Sequence, residues 1–205
     1  MARETLLIGT NNAHKVTELR RILGEANVTL LTPADAGIEI EVEETGETFE
    51  ENARLKAWAF CAASGLPSLA DDSGIEVDAL GGRPGVRSAR YGGDGLDDAD
   101  RTQLLLDELA DVPEEQRTCR YRVVLVLARP DGSEEVVDGA CEGRVAFAPV
   151  GSNGFGYDPI FFVPRFGRTM AQLDPAEKDA ISHRGQAARR MADLLRERAL
   201  EGAAS

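Results

Sequence analysis

Three lysines stand apart in a chain whose basic residues are otherwise arginine. Of its 23 basic residues, only Lys15, Lys56 and Lys178 are lysine. A lysine ammonium is a compact point charge, whereas an arginine guanidinium is a planar fork with five donors, so the two differ where a phosphate oxygen is met in a tight space. Each lysine lies beside polar, glycine-containing or acidic residues. We therefore take these positions as candidate ligand contacts, with solvated surface lysines as the alternative.

Two acidic segments supply the oxygen ligands that a hard divalent cation prefers. Asp71-Asp72-Ser73-Gly74 follows a short apolar segment, and Glu43-Glu44-Thr45-Gly46 is predicted to lie at a similar junction of strand and loop. Magnesium usually takes one or two carboxylates together with water and phosphate oxygens, so one acid from each segment would suffice. A free aspartate beside the ion could orient or deprotonate an attacking water. The alternative is an acidic turn whose side chains cap loop amides.

A candidate anion site follows the first predicted strand. Thr5-Leu6-Leu7-Ile8 is a short apolar run, and apolar residues between Val16 and Leu23 recur at helical spacing. The polar turn between them, Gly9-Thr10-Asn11-Asn12, would place helix N-terminal amides at the carboxyl end of the strand, with Lys15 nearby. The turn matches neither the Walker pattern nor GxGxxG, and an ordinary capped helix is the open alternative.

A glycine-rich segment later in the chain is a candidate for binding a flat base. The segment from Gly151 to Pro159 carries two aromatic rings and an aspartate. Phe155 or Tyr157 could stack on a base, an interaction worth about 1–3 kcal/mol, while inward packing of the rings is the alternative. Ser182-His183-Arg184-Gly185 adds donors at a predicted helix start, which suits recognition of a carbonyl or phosphate oxygen.

The elements that must position these residues predict an α/β fold around a mixed sheet. Helical crossovers between strands favour parallel pairing, and one hairpin adds antiparallel strands. With 205 residues and neither repeat nor linker, we expect a single domain over residues 1–205. The further predicted elements are strands at 28–31 and 38–42, helices at 48–64 and 97–110, a hairpin of 121–128 with 135–145, and a last helix from about 182 to about 200.

Composition narrows the range of partners and compartments. A net charge of −13 and a pI near 4.6 argue against general binding of nucleic acid, which depends on neutralising phosphates. The three separated cysteines lack a CxxC pair and predict reduced thiols in a cytoplasmic protein. The sequence indicates neither a signal peptide nor a membrane span. It also lacks GxSxG and Walker A patterns, which removes the commoner hydrolase templates.

Six segments in a fixed order carry a resemblance to a known family. They are Gly9-Thr10-Asn11-Asn12-Ala13-His14-Lys15, residues 43–53 (EETGETFEENA), Ala70-Asp71-Asp72-Ser73-Gly74, residues 84–91 (PGVRSARY), Gly154-Phe155-Gly156-Tyr157-Asp158-Pro159 and Ile181-Ser182-His183-Arg184-Gly185. Together they resemble the motif series of the inosine triphosphate pyrophosphatase family, which includes bacterial dITP/XTP pyrophosphatases. The resemblance runs from Leu6 to about Leu195.

This resemblance implies both an architecture and a reaction. The implied architecture is an elongated mixed β-sheet flanked by helices, with two lobes, a long central cleft and a homodimer as the usual assembly. The implied reaction is magnesium-dependent hydrolysis of ITP, dITP and XTP to the monophosphate and pyrophosphate. Such an enzyme removes deaminated purines from the nucleotide pool.

The resemblance also assigns roles to individual residues. The triphosphate would be held by Thr10, Asn11, Asn12, Ala13, His14 and Lys15, with assistance from Lys56 and Ser73. Glu43 and Asp72 would bind Mg²⁺, and Asp72 would also serve as the catalytic acid or base. The base would be received by Phe155, Gly156, Tyr157, Asp158, Lys178, His183 and Arg184.

Two other functions remain open on the sequence. One is a nucleotide pyrophosphatase resembling the Maf-like group, with a different base preference. The other is a catalytically silent nucleotide-binding module, which the presence of both Glu43 and Asp72 disfavours. Pyrophosphate release from a panel of nucleotides separates all three.

Overall fold

The fold is a seven-stranded mixed sheet with helices packed on it. The computed structural model describes the backbone of residues 3–204 and the side chains of that range apart from residues 25 and 201–204. In chain order the elements are β1 (Glu4–Ile8), α1 (Ala13–Leu23), β2 (Val28–Leu31), α2 (Phe49–Ser64), β3 (Ser68–Val77), α3 (Asp98–Glu108), β4 (Thr118–Ala128), β5 (Glu134–Val145), β6 (Phe161–Val163), β7 (Arg168–Thr169), α4 (Pro175–Ile181) and α5 (His183–Ala204). Among the described helices, none combines the length and apolar character needed to cross a membrane.

The strand order of the sheet is β2-β1-β3-β4-β5-β6-β7. Strand β1 pairs in parallel with both β2 and β3, and in the second of these pairs Ile8 lies opposite Leu69. Strands β5, β6 and β7 pair antiparallel. Parallel neighbours at one end and antiparallel neighbours at the other make the sheet mixed. The predicted α/β class is therefore confirmed.

The chain divides into two compact units. The first comprises the described residues of Met1–Asp72, Val123–Gly139 and Arg184–Ser205, and the second comprises Ser73–Arg122 and Ala140–His183. Each has its own buried core: Leu19 and Met191 lie in the first, and Leu105 and Phe161 lie in the second. The single domain expected over residues 1–205 stays a prediction.

Helix α2 forms where its terminal signals predict it. Thr48 accepts a hydrogen bond from the backbone of Glu51, and the Glu51 carboxylate accepts in return from the backbone N–H of Thr48. The helix ends where Gly65 adopts the left-handed conformation, with φ of 68°. Phe49, Ala53, Ala57, Phe60 and other residues of one face are buried. The helix is thereby fixed with Asn52 and Lys56 on a shared face.

Two features of the predicted strands are wrong. Residues 38–42 form no strand, although the apolar residues there are half-buried and the intervening glutamates are exposed. Alternating burial indicates an extended chain that packs on one face, whereas a β-strand also needs backbone hydrogen bonds to a neighbouring strand. Asp71-Asp72-Ser73-Gly74 lies inside β3, which continues to Val77, rather than after a strand. The strand can contain both acids because each carboxylate forms an ion pair.

Candidate active site

Two adjacent carboxylates in β3 organise the first unit. Asp71 is 1% exposed and Asp72 is 5% exposed. Successive side chains of a strand project to opposite faces of the sheet, so the two acids have different surroundings. The partners of Asp71 come from α1 and α5, and those of Asp72 come from α2. The sheet therefore separates two charge clusters that the sequence presents as one motif.

The Asp71 cluster is a network of four charges, of which Asp71, Arg184 and Glu18 are buried and Lys15 is half-buried. Asp71 Oδ2 lies 3.0 Å from Lys15 Nζ and 3.2 Å from Arg184 Nη2. Arg184 Nη1 also donates to Glu18 Oε2 at 2.7 Å. Burial alone would raise the pKa of Asp71, but the Lys15 and Arg184 cations outweigh it and hold that pKa well below its ordinary value. Burial lowers the pKa of Lys15, although the Asp71 carboxylate opposes that shift.

The Asp72 cluster joins two acids to one ammonium. Lys56 Nζ lies 3.2 Å from Asp72 Oδ1 and 2.5 Å from Glu44 Oε1, and Asn52 Nδ2 donates to Asp72 Oδ2 at 3.2 Å. Burial raises the pKa of Asp72, with the Glu44 and Asp71 carboxylates acting in the same direction and Lys56 opposing them. Burial disfavours the charged Lys56, but the surrounding carboxylates outweigh it and raise that pKa. Asp72 is therefore an acid poised to take up a proton more readily than an ordinary aspartate.

The polar turn before α1 is an ordinary helix cap in its local geometry. Asn12 Oδ1 accepts from the backbone N–H groups of His14 and Lys15, at 3.0 and 3.2 Å. Thr10 Oγ1 accepts from the Asn12 backbone N–H at 3.2 Å. The residues from Asn11 to His14 are nevertheless exposed, so the turn presents its polar groups to solvent. The cap fixes the start of the helix that carries Lys15 to Asp71.

In the second unit, Asp158 is the centre of a third cluster, which is buried. Its Oδ2 accepts from Lys178 Nζ at 2.6 Å and from the Phe155 backbone N–H at 3.0 Å, and its Oδ1 accepts from Tyr121 Oη at 3.2 Å. Asp158 is only 3% exposed. Gly154 has a φ of +76°, and a Cβ there would overlap the Asp158 carboxylate, so the loop needs glycine at this position.

Aromatic contacts extend this cluster. Lys178 Nζ lies 4.9 Å from the centroid of the Phe155 ring. The Tyr121 ring stacks on His183 at 4.7 Å between centroids. Tyr157 packs inward and donates from its hydroxyl to the Ser88 carbonyl at 2.9 Å, so for this ring the alternative of inward packing is correct. Phe155 is half-buried and is the ring of this loop that retains exposed surface.

The residues predicted to form the site fall into two groups. The first unit contains Thr10, Asn11, Asn12, Ala13, His14, Lys15, Glu43, Lys56, Asp72 and Arg184, and the second contains Ser73, Phe155, Gly156, Tyr157, Asp158, Lys178 and His183. Glu43 is exposed, and its neighbour Glu44 is the acid that contacts Lys56. Arg184 pairs with Asp71 rather than joining His183 beside Tyr121. These roles stay predictions.

Sequence reasoning assigned no individual role to four residues of these clusters: Glu18, Glu44, Asn52 and Tyr121. Asn52 carried a signal, because it lies four residues before Lys56 and shares its helical face. Glu44 was visible only as one of two adjacent acids. Glu18 and Tyr121 look like ordinary helix and strand residues, and their partners are distant in sequence. No local pattern could have identified those two.

Fold and clusters together define an α/β protein with a paired-acid centre in its sheet, an arrangement suited to an enzyme acting on phosphorylated compounds. The chain belongs to the Ham1 family, whose model matches residues 6–194. The resemblance carried by the six motifs is therefore confirmed.

Individual relatives agree with that membership. A protein named dITP/XTP pyrophosphatase from Streptomyces avermitilis is 49% identical over 94% of this chain and 97% of its own length. One of the same name from Lactiplantibacillus plantarum is 48% identical over 92% and 93%. Among solved structures, a HAM1 protein from Coxiella burnetii has a TM-score of 0.86 and 40% identity, covering 95% of this chain and 99% of its own.

Substitution of the adjacent acids should separate stability from turnover. Asp71→Asn removes the carboxylate that pairs with the half-buried Lys15 and the buried Arg184, and removing one partner of a buried ion pair typically costs about 3–5 kcal/mol. Asp72→Asn should be milder, because Lys56 keeps Glu44, yet it should nearly abolish turnover. Urea unfolding and pyrophosphate release measure the two effects. If Asp71→Asn and Asp72→Asn both lowered kcat only slightly and to the same extent, with unchanged circular dichroism, the catalytic role of Asp72 would be contradicted.

The Asp71 cluster also predicts a pH dependence. The folded-state pKa of Asp71 is depressed, so its stabilisation is present above the unfolded value of about 3.9 and is lost as the pH falls through the folded value. The free energy of unfolding should therefore fall on acidification below about pH 4. Between about pH 4 and about pH 2, the free energy of unfolding of Asp71→Asn should fall less than that of the parent. Equal slopes of unfolding free energy against pH in the two proteins would contradict a contribution from Asp71.

Lysine-to-arginine variants test whether the three lysines are chosen for shape. All three Nζ atoms contact buried or half-buried carboxylates, and Lys15→Arg, Lys56→Arg and Lys178→Arg keep the charge while adding a wider group. We expect losses on the order of 100-fold in kcat/KM for ITP from misplaced groups. The exposed ion pairs of Arg20 and Arg196 provide controls, and both Arg→Lys changes should be nearly silent. If all three variants hydrolysed ITP as well as the parent, the scarcity of lysine would be a bias of composition, and the inference that these lysines are ligand contacts would be wrong.

Proposed function

We propose that this protein hydrolyses ITP, dITP and XTP to the monophosphate and pyrophosphate, and so removes deaminated purines from the nucleotide pool. The observation that carries the proposal is a buried Asp72, held by Lys56 and Asn52, in a chain of the Ham1 family. Relatives that match over nearly the whole chain and are named dITP/XTP pyrophosphatase support it. The same family membership disfavours a Maf-like enzyme.

The first unit supplies the groups proposed to receive the triphosphate. The N-terminal turn of α1, from Thr10 to Lys15, is exposed at Asn11 to His14 and offers backbone and side-chain donors together with the helix dipole. Lys56 adds a cation, and Ser73, the first residue of the second unit, adds a hydroxyl just beyond Asp72. Because the chain has a net charge of −13, such a local cluster must supply the attraction for a polyanion.

The acids around Lys56 fit a magnesium ion in their chemistry. Glu44 and Asp72 both approach one ammonium, which shows that two carboxylate oxygens converge on a cation there. Asp72 and Glu43 would hold Mg²⁺ as the motif implies, with Glu44 as a further acid. A bound ion would offset the charge of the triphosphate and polarise the phosphorus that is attacked. Asp72 would also orient the attacking water and accept its proton.

The second unit supplies the groups proposed to recognise the base. Lys178 and His183 are donors held in place by Asp158 and Tyr121, and Phe155 offers a ring face. A 6-keto purine presents an acceptor where adenine presents an amino donor, so these donors favour the keto base. Guanine shares the 6-keto group, so its rejection must act at the 2-amino position.

Pyrophosphate release from ITP, dITP, XTP, ATP and GTP, with and without magnesium, tests the function. We expect a preference for the first three that reaches about 10⁴-fold over ATP in kcat/KM, because unmet hydrogen bonds penalise the wrong base. Chelation of magnesium should abolish release. The Asp72→Asn protein, prepared in the same way, controls for contaminating phosphatases. Equal kcat/KM for ATP and ITP would overturn the proposed specificity, and no release at all would favour a silent binding module.

Two neighbouring glutamates provide a matched test of the metal site. If Glu43 is a ligand, Glu43→Gln should raise the magnesium concentration at half-maximal activity by at least about tenfold, because it removes a charged oxygen ligand. Glu44→Gln should instead weaken the ion pair with Lys56 and raise the magnesium concentration at half-maximal activity by a smaller factor. Magnesium titrations of activity, with Mn²⁺ binding followed by its paramagnetic resonance signal, measure both. If Glu44→Gln raised the magnesium requirement more than Glu43→Gln, Glu44 rather than Glu43 would be the ligand.

We further propose that the enzyme works as a homodimer in the cytoplasm, as the resemblance implies. Sedimentation at two protein concentrations measures the assembly. A monomer at micromolar concentration with full activity would contradict the first part of this proposal.

A further inference from the structure

The peptide between Phe155 and Gly156 is held at both of its polar ends. Its N–H, on Gly156, donates to Asp98 Oδ2 at 2.8 Å. Its carbonyl, on Phe155, accepts from the Asp158 backbone N–H at a longer 3.3 Å. A planar trans peptide directs these two groups oppositely, so a rotation of the peptide would break both bonds. The orientation of this peptide is therefore fixed jointly by the loop itself and by a residue 58 positions away.

The loop could adopt another backbone conformation if one of these bonds were lost. Gly156 has a φ of +60° and Gly154 a φ of +76°, and glycine passes between positive and negative φ without a steric penalty. The carbonyl bond that would remain is long and correspondingly weak. Phe155 immediately precedes the peptide, so the direction of its ring and its contact with Lys178 depend on that orientation.

Asp98 is not needed to start the helix on which it lies. The capping box of α3 is formed by Asp97 and Asp100, whose side chains each accept from the other's backbone N–H. Asp98 is the first residue of α3 and is exposed, yet its carboxylate accepts from the Gly156 N–H. Hydrogen bonds to a charged acceptor are about twice as strong as neutral ones, which makes this anchor the stronger of the two.

We propose that Asp98 is a positioning residue for base recognition, acting through the Gly156 peptide. It selects the loop conformation in which the Phe155 ring lies beside Lys178. The inference rests on the proposed function, since it assigns the loop from Phe155 to Asp158 to the purine base. Asp98 itself contacts neither phosphate nor metal in this assignment, so its loss should act on base binding and leave the chemical step intact.

The test compares Asp98→Ala with Asp98→Asn. Loss of the bond in Asp98→Ala should raise KM for ITP by about fivefold to tenfold with kcat within about twofold, and should reduce the ITP-to-GTP ratio of kcat/KM by a similar factor. Asp98→Asn retains an oxygen that can accept from Gly156 and should restore most of the parent KM and selectivity. Asp107→Ala changes an exposed aspartate of the same helix and serves as the control.

The pair of variants distinguishes the hydrogen bond to Gly156 from the charge of Asp98. If Asp98 acted only through the helix dipole, Asn and Ala would be equally impaired, because both remove the charge. That result would overturn the inference, as would an unchanged KM and selectivity in Asp98→Ala or a fall in kcat alone. A parent protein that releases no pyrophosphate from ITP would overturn the proposed function instead. Thermal unfolding of each variant separates a general loss of folding from the effect on KM.

Discussion

The structure depends on the pairing of buried carboxylates with cations on both faces of one strand. Asp71 and Asp72 are adjacent in β3, so one projects to α1 and α5 and the other to α2. A charge withdrawn from water is tolerated only when opposite charges and hydrogen bonds replace its hydration. The three helices must therefore present Lys15, Arg184 and Lys56 at fixed positions, and this requirement constrains how they pack on the sheet.

Such pairing matters more for the pKa values of the two acids than for the net stability of the fold. A buried ion pair often contributes no more than an apolar replacement would, yet losing one partner is strongly destabilising. In the first unit the neighbouring acids have opposite pKa shifts, because the cations outweigh burial at Asp71, whereas burial outweighs the Lys56 cation at Asp72. Asp71 therefore stays ionised to a lower pH than an ordinary aspartate, whereas Asp72 takes up a proton more readily than one.

The second unit applies the same principle to a loop. Asp158 is a buried acid satisfied by Lys178, Tyr121 and the backbone of its own turn. A loop rich in glycine would otherwise have many conformations, and ordering it requires contacts that compensate the lost entropy. Buried hydrogen bonds to Asp158 and an exposed one from the Gly156 N–H to Asp98 provide those contacts. If the loop receives the base as proposed, recognition depends in part on Asp98, a residue that does not touch the base.

The sequence by itself determined the local elements and the family. The capping box at Thr48, the periodicity of the first strand and helix, and six ordered motifs are short-range signals, and each led to the observed element or to the Ham1 family. Only the tertiary structure decided the partners of Arg184 and Tyr121, the separation of Asp71 from Asp72, and the absence of a strand at residues 38–42. Propensity and capping act within a few residues, whereas ion pairing and strand pairing join residues far apart in sequence, so no local pattern encodes them.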